Sequence, residues 1–351
     1  MKRTHSGSSG RGELALLGEI RQRAASAASR GQSGGIRLGI GDDCALLAPR
    51  RGEELAVTTD LSIEGQHFRL EWHQPEAVGH RVLARGLSDL AAMGARPVGA
   101  FLSLGLPREL TVPAGRQRAA RSRSWVQRLL DGLLALAEAH STPLAGGDLA
   151  ESSVAVADIV LVGAVPRGRA LLRSGAKPGD LLYVTGALGG AVASLACLEN
   201  LANTKPGRAN PPRIPKKLAA KLAPHLYPQP RIAQGLWLQR RGVASAAIDL
   251  SDGISSDLAH ICDESGVAAE VDASALPIHG GATLTQALHG GEDYELLFTA
   301  PATAKLPRAI AGVEITKIGR IVKTRAGRPT LTLISAQGAK PLEPQGWEHF
   351  A

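Results

Sequence analysis

At 351 residues the chain exceeds one ordinary hydrophobic core, so two domains are expected; 44% hydrophobic against 21% charged residues is a globular balance. No apolar run approaches the roughly 18–20 residues needed to cross a bilayer, which argues against a helical membrane span and a membrane partner. The net charge of +8 admits a polyanionic partner, but an aromatic content of 3% leaves few stacking surfaces, so no nucleic-acid partner is expected.

Residues 1–12 are basic and rich in Gly and Ser with no apolar segment behind them, and read as a disordered tail. A first helix is expected over Glu13–Ala28, then short strands at Ala45–Leu47 and Leu55–Thr59. Pro75 suits the first turn of a helix running to Met93; Val78, Val82, Leu83, Leu87 and Leu90 recur at helical spacing, and Gly94 with Pro97 ends it. Gly99–Leu106 reads as a strand, Ala114–His140 as a long helix with one apolar stripe, and Val154–Val165 as a strand. Pro166–Pro178 reads as a connector between domains. Beyond it come a strand at Leu181–Thr185, a helix over Leu188–Asn200, and a polar, Pro-containing loop at Leu201–Pro215. Helices at Arg231–Arg241 and Ser255–Ser265 and strands at Ala246–Leu250, Val267–Val271, Glu295–Thr299, Thr316–Val322 and Thr330–Ile334 complete the chain. Strands and helices mix without regular βαβ repetition, the pattern of α+β domains.

Cys44, Cys197 and Cys262 form neither a metal-ligand spacing nor an even disulfide set, consistent with a reducing, cytoplasmic setting. The aspartates are more informative. Asp42 and Asp43 follow Gly39-Ile40-Gly41, Asp60 ends Val57-Thr58-Thr59, Asp89 sits on a helix, Asp148 follows Gly146-Gly147, and Asp249 and Asp252 bracket Leu250-Ser251. Taken singly, each is explained as a turn, cap or surface residue. Taken together, carboxylates gathered in a cleft repel one another unless cations are present, and an all-oxygen set with adjacent hydroxyls suits Mg2+. No H-E-x-x-H, paired C-x-x-C, Walker A or protein-kinase motif competes.

Several segments resemble the thiamine-monophosphate kinase family. They are Gly39-Ile40-Gly41-Asp42-Asp43-Cys44-Ala45, Thr58-Thr59-Asp60, Glu64-Gly65-Gln66-His67-Phe68 and Leu87-Ser88-Asp89-Leu90-Ala91-Ala92-Met93-Gly94-Ala95. Arg173-Ser174-Gly175-Ala176-Lys177-Pro178-Gly179-Asp180, Ile248-Asp249-Leu250-Ser251-Asp252-Gly253, Gly290-Gly291-Glu292-Asp293-Tyr294-Glu295-Leu296 and Gly346-Trp347-Glu348-His349-Phe350 continue the series in order. The resemblance implies a two-domain fold of the aminoimidazole-ribonucleotide-synthetase type: an N-terminal domain over residues 13–165, pairing through its sheet across a homodimer, and a C-terminal α+β domain over residues 166–351. The implied reaction is ATP plus thiamine monophosphate giving ADP plus thiamine diphosphate, with no protein nucleophile or general base. By motif position, Asp43, Thr58, Thr59, Asp60, Asp89, Asp148, Asp249 and Asp252 are the implied ligands of several Mg2+ ions, directly or through water. Gly147, Asp148, Arg173 and Ser251 are the implied ATP contacts, and His67, Glu292 and Trp347 the implied thiamine-monophosphate contacts. One departure is Leu149-Ala150-Glu151 after Asp148, where the family usually has a Thr next to the aspartate. The alternatives are another ATP-dependent enzyme of the same superfamily, or a catalytically dead nucleotide-binding subunit.

Overall fold

The structure of the protein, a computed structural model, describes residues 13–28, 35–113, 123–203 and 211–346. The first part comprises α1 (Glu13–Ala28), β1 (Ile36–Leu38), β2 (Leu46–Leu47), β3 (Glu53–Ile63), α2 (Pro75–Ala92), β4 (Arg96–Leu106), α3 (Trp125–Ala139), β5 (Leu144–Glu151) and β6 (Val156–Pro166). The second comprises β7 (Leu181–Thr185), α4 (Gly190–Asn203), α5 (Lys216–Leu226), α6 (Ile232–Arg241), β8 (Ala246–Asp249), α7 (Ile254–Ser265) and β9 (Ala268–Asp272). It continues with α8 (Leu284–His289), β10 (Leu296–Ala300), β11 (Ala309–Ile310), β12 (Val313–Val322), β13 (Leu331–Ser335) and β14 (Gly338–Pro341).

Besides the small antiparallel pair β1-β2, two larger sheets carry these parts. The first has the strand order β3-β6-β4-β5 and is antiparallel except for the β4–β5 pair. The second runs β14-β13-β9-β12-β7-β10-β8, with β11 on β12, and only β13–β9 is parallel. Helices and largely antiparallel sheets in this mixture give the α+β architecture expected from the sequence.

Helix α2 joins the two parts. Its N-terminus is set by Pro75 in the first turn, and its last turn closes through Met93 N–H to the Asp89 carbonyl before left-handed Gly94. Val78, Val82, Leu83, Leu87 and Leu90 are buried along it, as the helical period requires. One continuous core combines these residues with Leu129, Leu130 and Leu133 of α3, Ile159 and Leu161 of β6, and Ile232, Ala247, Leu296 and Phe298 from the second part. A second core lies under the far sheet, around Leu182, Ile248, Leu258, Ile261 and Leu297.

Helix α3 starts later than the sequence suggests. Extended Ser124 accepts from Gln127 N–H while the Gln127 side chain accepts from Ser124 N–H, a capping box that fixes the first turn at Trp125. Residues 114–122 of the expected helix lie outside the described residues, as do residues 1–12 of the expected tail. Helices α2 and α3 pack so closely that a Cβ on Gly132 would collide with the Glu76 carbonyl. Gly132→Ala is therefore expected to destabilise the fold by about 1–3 kcal/mol, despite the better helix propensity of alanine. An unchanged urea midpoint would contradict this close approach.

Of the segment 201–215, expected as a loop, residues 201–203 continue α4, 204–210 lie outside the described residues, and 211–215 are irregular. Beyond it the sequence reading left α5 without an assignment, although Leu218, Leu222 and Leu226 fall one turn apart and pack against Leu198, Ala77 and Trp72.

Candidate functional site

Strand β3 and helix α2 build one wall of a cleft of about 490 Å³. On β3, alternate residues face opposite sides of the sheet, so Thr58 and Asp60 point toward α2 while Leu55, Val57, Thr59 and Leu61 point away. The Thr58 hydroxyl donates to Asp89 on α2. Ser88, one residue earlier, donates to Asp249 at the end of β8, 2.6 Å away, which ties the two parts of the chain together at the cleft floor. The loops after β8 and before β10 close the other wall. Glu292 N–H donates to the Ser251 carbonyl at 2.8 Å and Tyr294 N–H to the Leu250 carbonyl at 2.9 Å. Glu292 and Tyr294 hold positive φ angles of 65° and 51°, a strained conformation for residues other than glycine that these hydrogen bonds maintain.

The cleft is lined by Asp60, Asp89, Asp249, Ser251 and Asp252 and by His67, Phe68, Trp72 and Glu292; along α2, Arg81 beside Glu292 and the His67 carbonyl stands two turns before Asp89, which faces Thr58 and Asp249. Burial first, then the charges of Asp249 and Asp60, push the Asp89 carboxyl above its ordinary range. Burial likewise raises Asp249, against the Ser88 hydrogen bond and with help from Asp60. Asp257, one turn into α7, accepts from Asp252 N–H, and burial together with Asp249 and Asp252 pushes it up to about 8. These carboxylates crowd one another. Arg173 is exposed, and its positive charge acts on both Asp89 and Asp249.

Glu292 is held differently. Burial alone would raise its pKa, but the Arg81 guanidinium at 2.7 Å and nearby His225 hold it well below the usual carboxylate range. Arg81 also donates to the carbonyls of His225 and His67, at 2.7 and 3.2 Å. Arg81 Nη1 lies 2.8 Å from His225 Nδ1 and 3.3 Å from its Nε2, and that Nδ1 is 3.4 Å from Glu292 Oε2. His225 Nε2 and His73 Nε2 stand 2.9 Å apart, so one imidazole donates to the other, and His73 Nδ1 lies 3.1 Å from both the N–H and the carbonyl of Arg69. The Nε2–Nε2 contact needs at least one of the imidazoles neutral. Burial first, then Arg81, lowers His73 to about 3 and His225 to about 4.

The sign of the stability effect follows. Below the ordinary histidine pKa the unfolded chain takes up protons that the folded chain refuses, so this contribution is present above about pH 6.5 and is lost as pH falls toward 4. At pH 5 it costs about 2 kcal/mol per histidine. The raised aspartates act oppositely in the same window, so the histidine part is read as a difference. His225→Gln is expected to flatten the pH 7 to pH 5 fall in urea stability relative to wild type; equal slopes in the two proteins would contradict the neutral pair.

The expected single acidic pocket is divided in the structure. Asp43 and Asp148 line a second cleft of about 360 Å³ with Gly39, Gly41, Gly146 and Gly147. It lies along β5, three strand spacings from β3, or roughly 14 Å across the sheet. Asp148 is on a strand rather than in the expected Gly-rich turn: β5 continues to Glu151, and Gly147, at φ 144°, has its backbone where a Cβ would strike Leu102. Leu149, the departure from the family pattern, packs against the main core, which accounts for an apolar residue there. The Thr59 hydroxyl turns away from the Asp60–Asp89 cluster and donates to Asp158 at 3.0 Å on the outer face. Among the described residues, no three of His, Cys, Asp and Glu stand close enough to hold a metal ion by themselves.

His67 lines the first cleft, its Nδ1 accepting from Ile63 N–H at 3.1 Å. Trp347 lies outside the described residues; Gly346, the residue before it, donates to Ser256 Oγ at 3.0 Å beside the Asp252 loop. Sequence reasoning missed Arg81, Arg85, His73 and His225. Arg81, Arg85 and Asp89 stand at i, i+4 and i+8 on α2, a spacing that puts them on one face and could have revealed them.

The chain matches the family described as AIR synthase related protein, N-terminal domain, over residues 41–166 and the corresponding C-terminal domain over residues 177–332. It is 39% identical over 330 residues to thiamine-monophosphate kinase of Salmonella typhimurium, covering 90% of this chain and 93% of that protein. The crystal structure of thiamine-monophosphate kinase from Stenotrophomonas maltophilia superposes with a TM-score of 0.74 at 36% identity, over 92% of this chain and 96% of that one. A structure described as AaThiL complexed with AMPPCP and TMP superposes with a TM-score of 0.70 at 29% identity, over 99% and 100% of the two chains. With 39% identity over 90% of its length to one such enzyme and both domain models matched, the chain belongs to the thiamine-monophosphate kinase family.

Proposed function

We propose that the chain transfers the γ-phosphoryl group of ATP to thiamine monophosphate, releasing ADP and thiamine diphosphate. The observation that carries this reading is the lining of the larger cleft: four aspartates, with Asp89 beside Asp249 two helical turns along α2 from the Arg81–Glu292 pair, and aromatic side chains. A molecule cationic and aromatic at one end and phosphorylated at the other fits that order. The names of the relatives, and the AMPPCP and TMP bound in one of them, support the same assignment.

An oxygen of the acceptor phosphate forms the new bond to the γ-phosphorus as the bond to the bridging β–γ oxygen breaks, and ADP carries away the electron pair. The attacking oxygen is already anionic near neutral pH, so no protein base is required. The chain's part is to align two anions that repel each other. Asp60, Asp89, Asp249 and Asp252, with the Thr58 and Ser251 hydroxyls, would hold Mg2+ at the acidic end. Their all-oxygen chemistry and mutual repulsion suit a hard cation that takes only one or two carboxylates and completes its shell with phosphates and water. Bound there, Mg2+ supplies charge neutralisation along the phosphates. Gly147 and Asp148, with Asp43, line the second cleft and are assigned to nucleotide and metal, as are Arg173 and Ser251 to ATP. His67, Glu292 and Trp347 are assigned to the thiamine end.

Residues 13–165 and 166–351 are the proposed domains, and the first pairs across a homodimer through its outer sheet face, where Leu55, Val57 and Leu61 are 43%, 64% and 47% exposed. No described helix is long and apolar enough to cross a membrane. A cytoplasmic, reducing setting is proposed for the three free thiols.

The test is ADP release by the full chain with ATP and Mg2+, comparing thiamine monophosphate with thiamine. Release that depends on the monophosphate is the expected result. Equal release with thiamine, or with no acceptor, would sink the proposal.

A further inference from the structure

On α2, Arg81, Arg85 and Asp89 follow one another a helical turn apart, with about 6 Å of rise between neighbours, and Arg85 and Asp89 line the cleft. Each meets a different part of the cleft: Arg81 pairs with Glu292, Arg85 with Asp60, and Asp89 with Thr58. Arg85 therefore stands between the end assigned to the thiamine ring and the end assigned to the metal-bound phosphates. It also lines the cleft itself, with its side chain 19% exposed.

Its pairing with Asp60 is loose. Nε and Nη2 both reach the same oxygen, Oδ1, at 3.3 and 3.2 Å, rather than forming two parallel bonds to two oxygens. A planar fork of five donors is thus engaged at one acceptor, and its other N–H groups have no acceptor among the described residues. Burial disfavours its charge, yet the neighbouring Asp60 and Glu292 carboxylates offset this and Arg85 stays cationic.

We infer that Arg85 binds the phosphate of the acceptor substrate. This deepens the reading of the cleft given above and rests on it. The acceptor phosphate must lie within bonding reach of the γ-phosphorus at the acidic end while its ring occupies the Glu292 end, and Arg85 is the guanidinium midway along that path. A guanidinium there matches phosphate oxygens geometrically, offsets repulsion between the two reacting anions, and gives the site a means of telling thiamine monophosphate from thiamine.

The test is calorimetric binding of thiamine monophosphate and of thiamine to the full chain without nucleotide, for wild type, Arg85→Gln and Arg85→Lys. Arg85→Gln is expected to lose at least about tenfold in monophosphate affinity while thiamine affinity stays within about twofold. Arg85→Lys, which keeps the charge but not the fork, is expected to fall between them, and it carries the test alone if the Gln variant does not fold by circular dichroism. In steady state, the KM for thiamine monophosphate should rise in the same proportion with the KM for ATP unchanged. Equal loss for both thiamine compounds, loss of ATP affinity instead, or no loss at all overturns the assignment of Arg85 alone. Wild-type protein that binds neither thiamine compound overturns that assignment together with the reading of the cleft.

Discussion

Asp89→Asn is expected to lower kcat at saturating Mg2+ by at least about 10²-fold, with little change in the KM for thiamine monophosphate. The side chain sits where Thr58, Asp60 and Asp249 converge, and its carboxyl is crowded by the two other acids. An amide keeps the shape and still accepts from Thr58, but withdraws a negative charge from the place where a cation and phosphates are proposed to meet. The same substitution relieves like-charge repulsion, so the thermal midpoint in EDTA should stay level or rise. A variant within tenfold of the wild-type rate would remove Asp89 from the proposed ligand set. A fall in both rate and midpoint would point to damage to the fold instead.

Arg81→Leu is expected to destabilise the protein by about 3–5 kcal/mol, the largest stability effect predicted for this chain. Its side chain is 5% exposed, and removing it strands Glu292 and two backbone carbonyls without their shared donor. Most of the loss comes from the unpaired carboxylate, not from a strong bond forfeited. The double variant Arg81→Leu, Glu292→Leu should therefore recover part of the stability while remaining inactive. Urea denaturation of the two single variants and the double variant measures the coupling. A double variant no more stable than Arg81→Leu would show that Arg81 acts chiefly through packing.

Periodicity in the sequence carried the fold far. The stripe of Val78, Val82, Leu87 and Leu90 located α2, and the strands at Leu181–Thr185 and around Ile248 stand where short β-rich runs predicted them. What stayed hidden has physical causes. Gly146 and Gly147 suggested a turn because glycine weakens strands; here a side chain at Gly147 would strike the neighbouring strand, so the strand form of β5 requires its glycine. Prolines at 211, 212, 215 and 224 masked α5, whose leucines answer a groove formed by distant residues. Arg81 and Arg85 look like a solvated helix face until Glu292 and Asp60 are folded against them. The cluster of acids could be anticipated, but its division between two clefts depends on the strand order β3-β6-β4-β5, which no local pattern encodes.

The main core takes side chains from both sides of the connector at Pro166–Pro178, with α2 at its centre. Excising either half would strip apolar surface from the other, so neither is expected to persist as an autonomous unit. Denaturation of the intact chain should accordingly be cooperative, a single transition in which the active cleft and the scaffold disappear together.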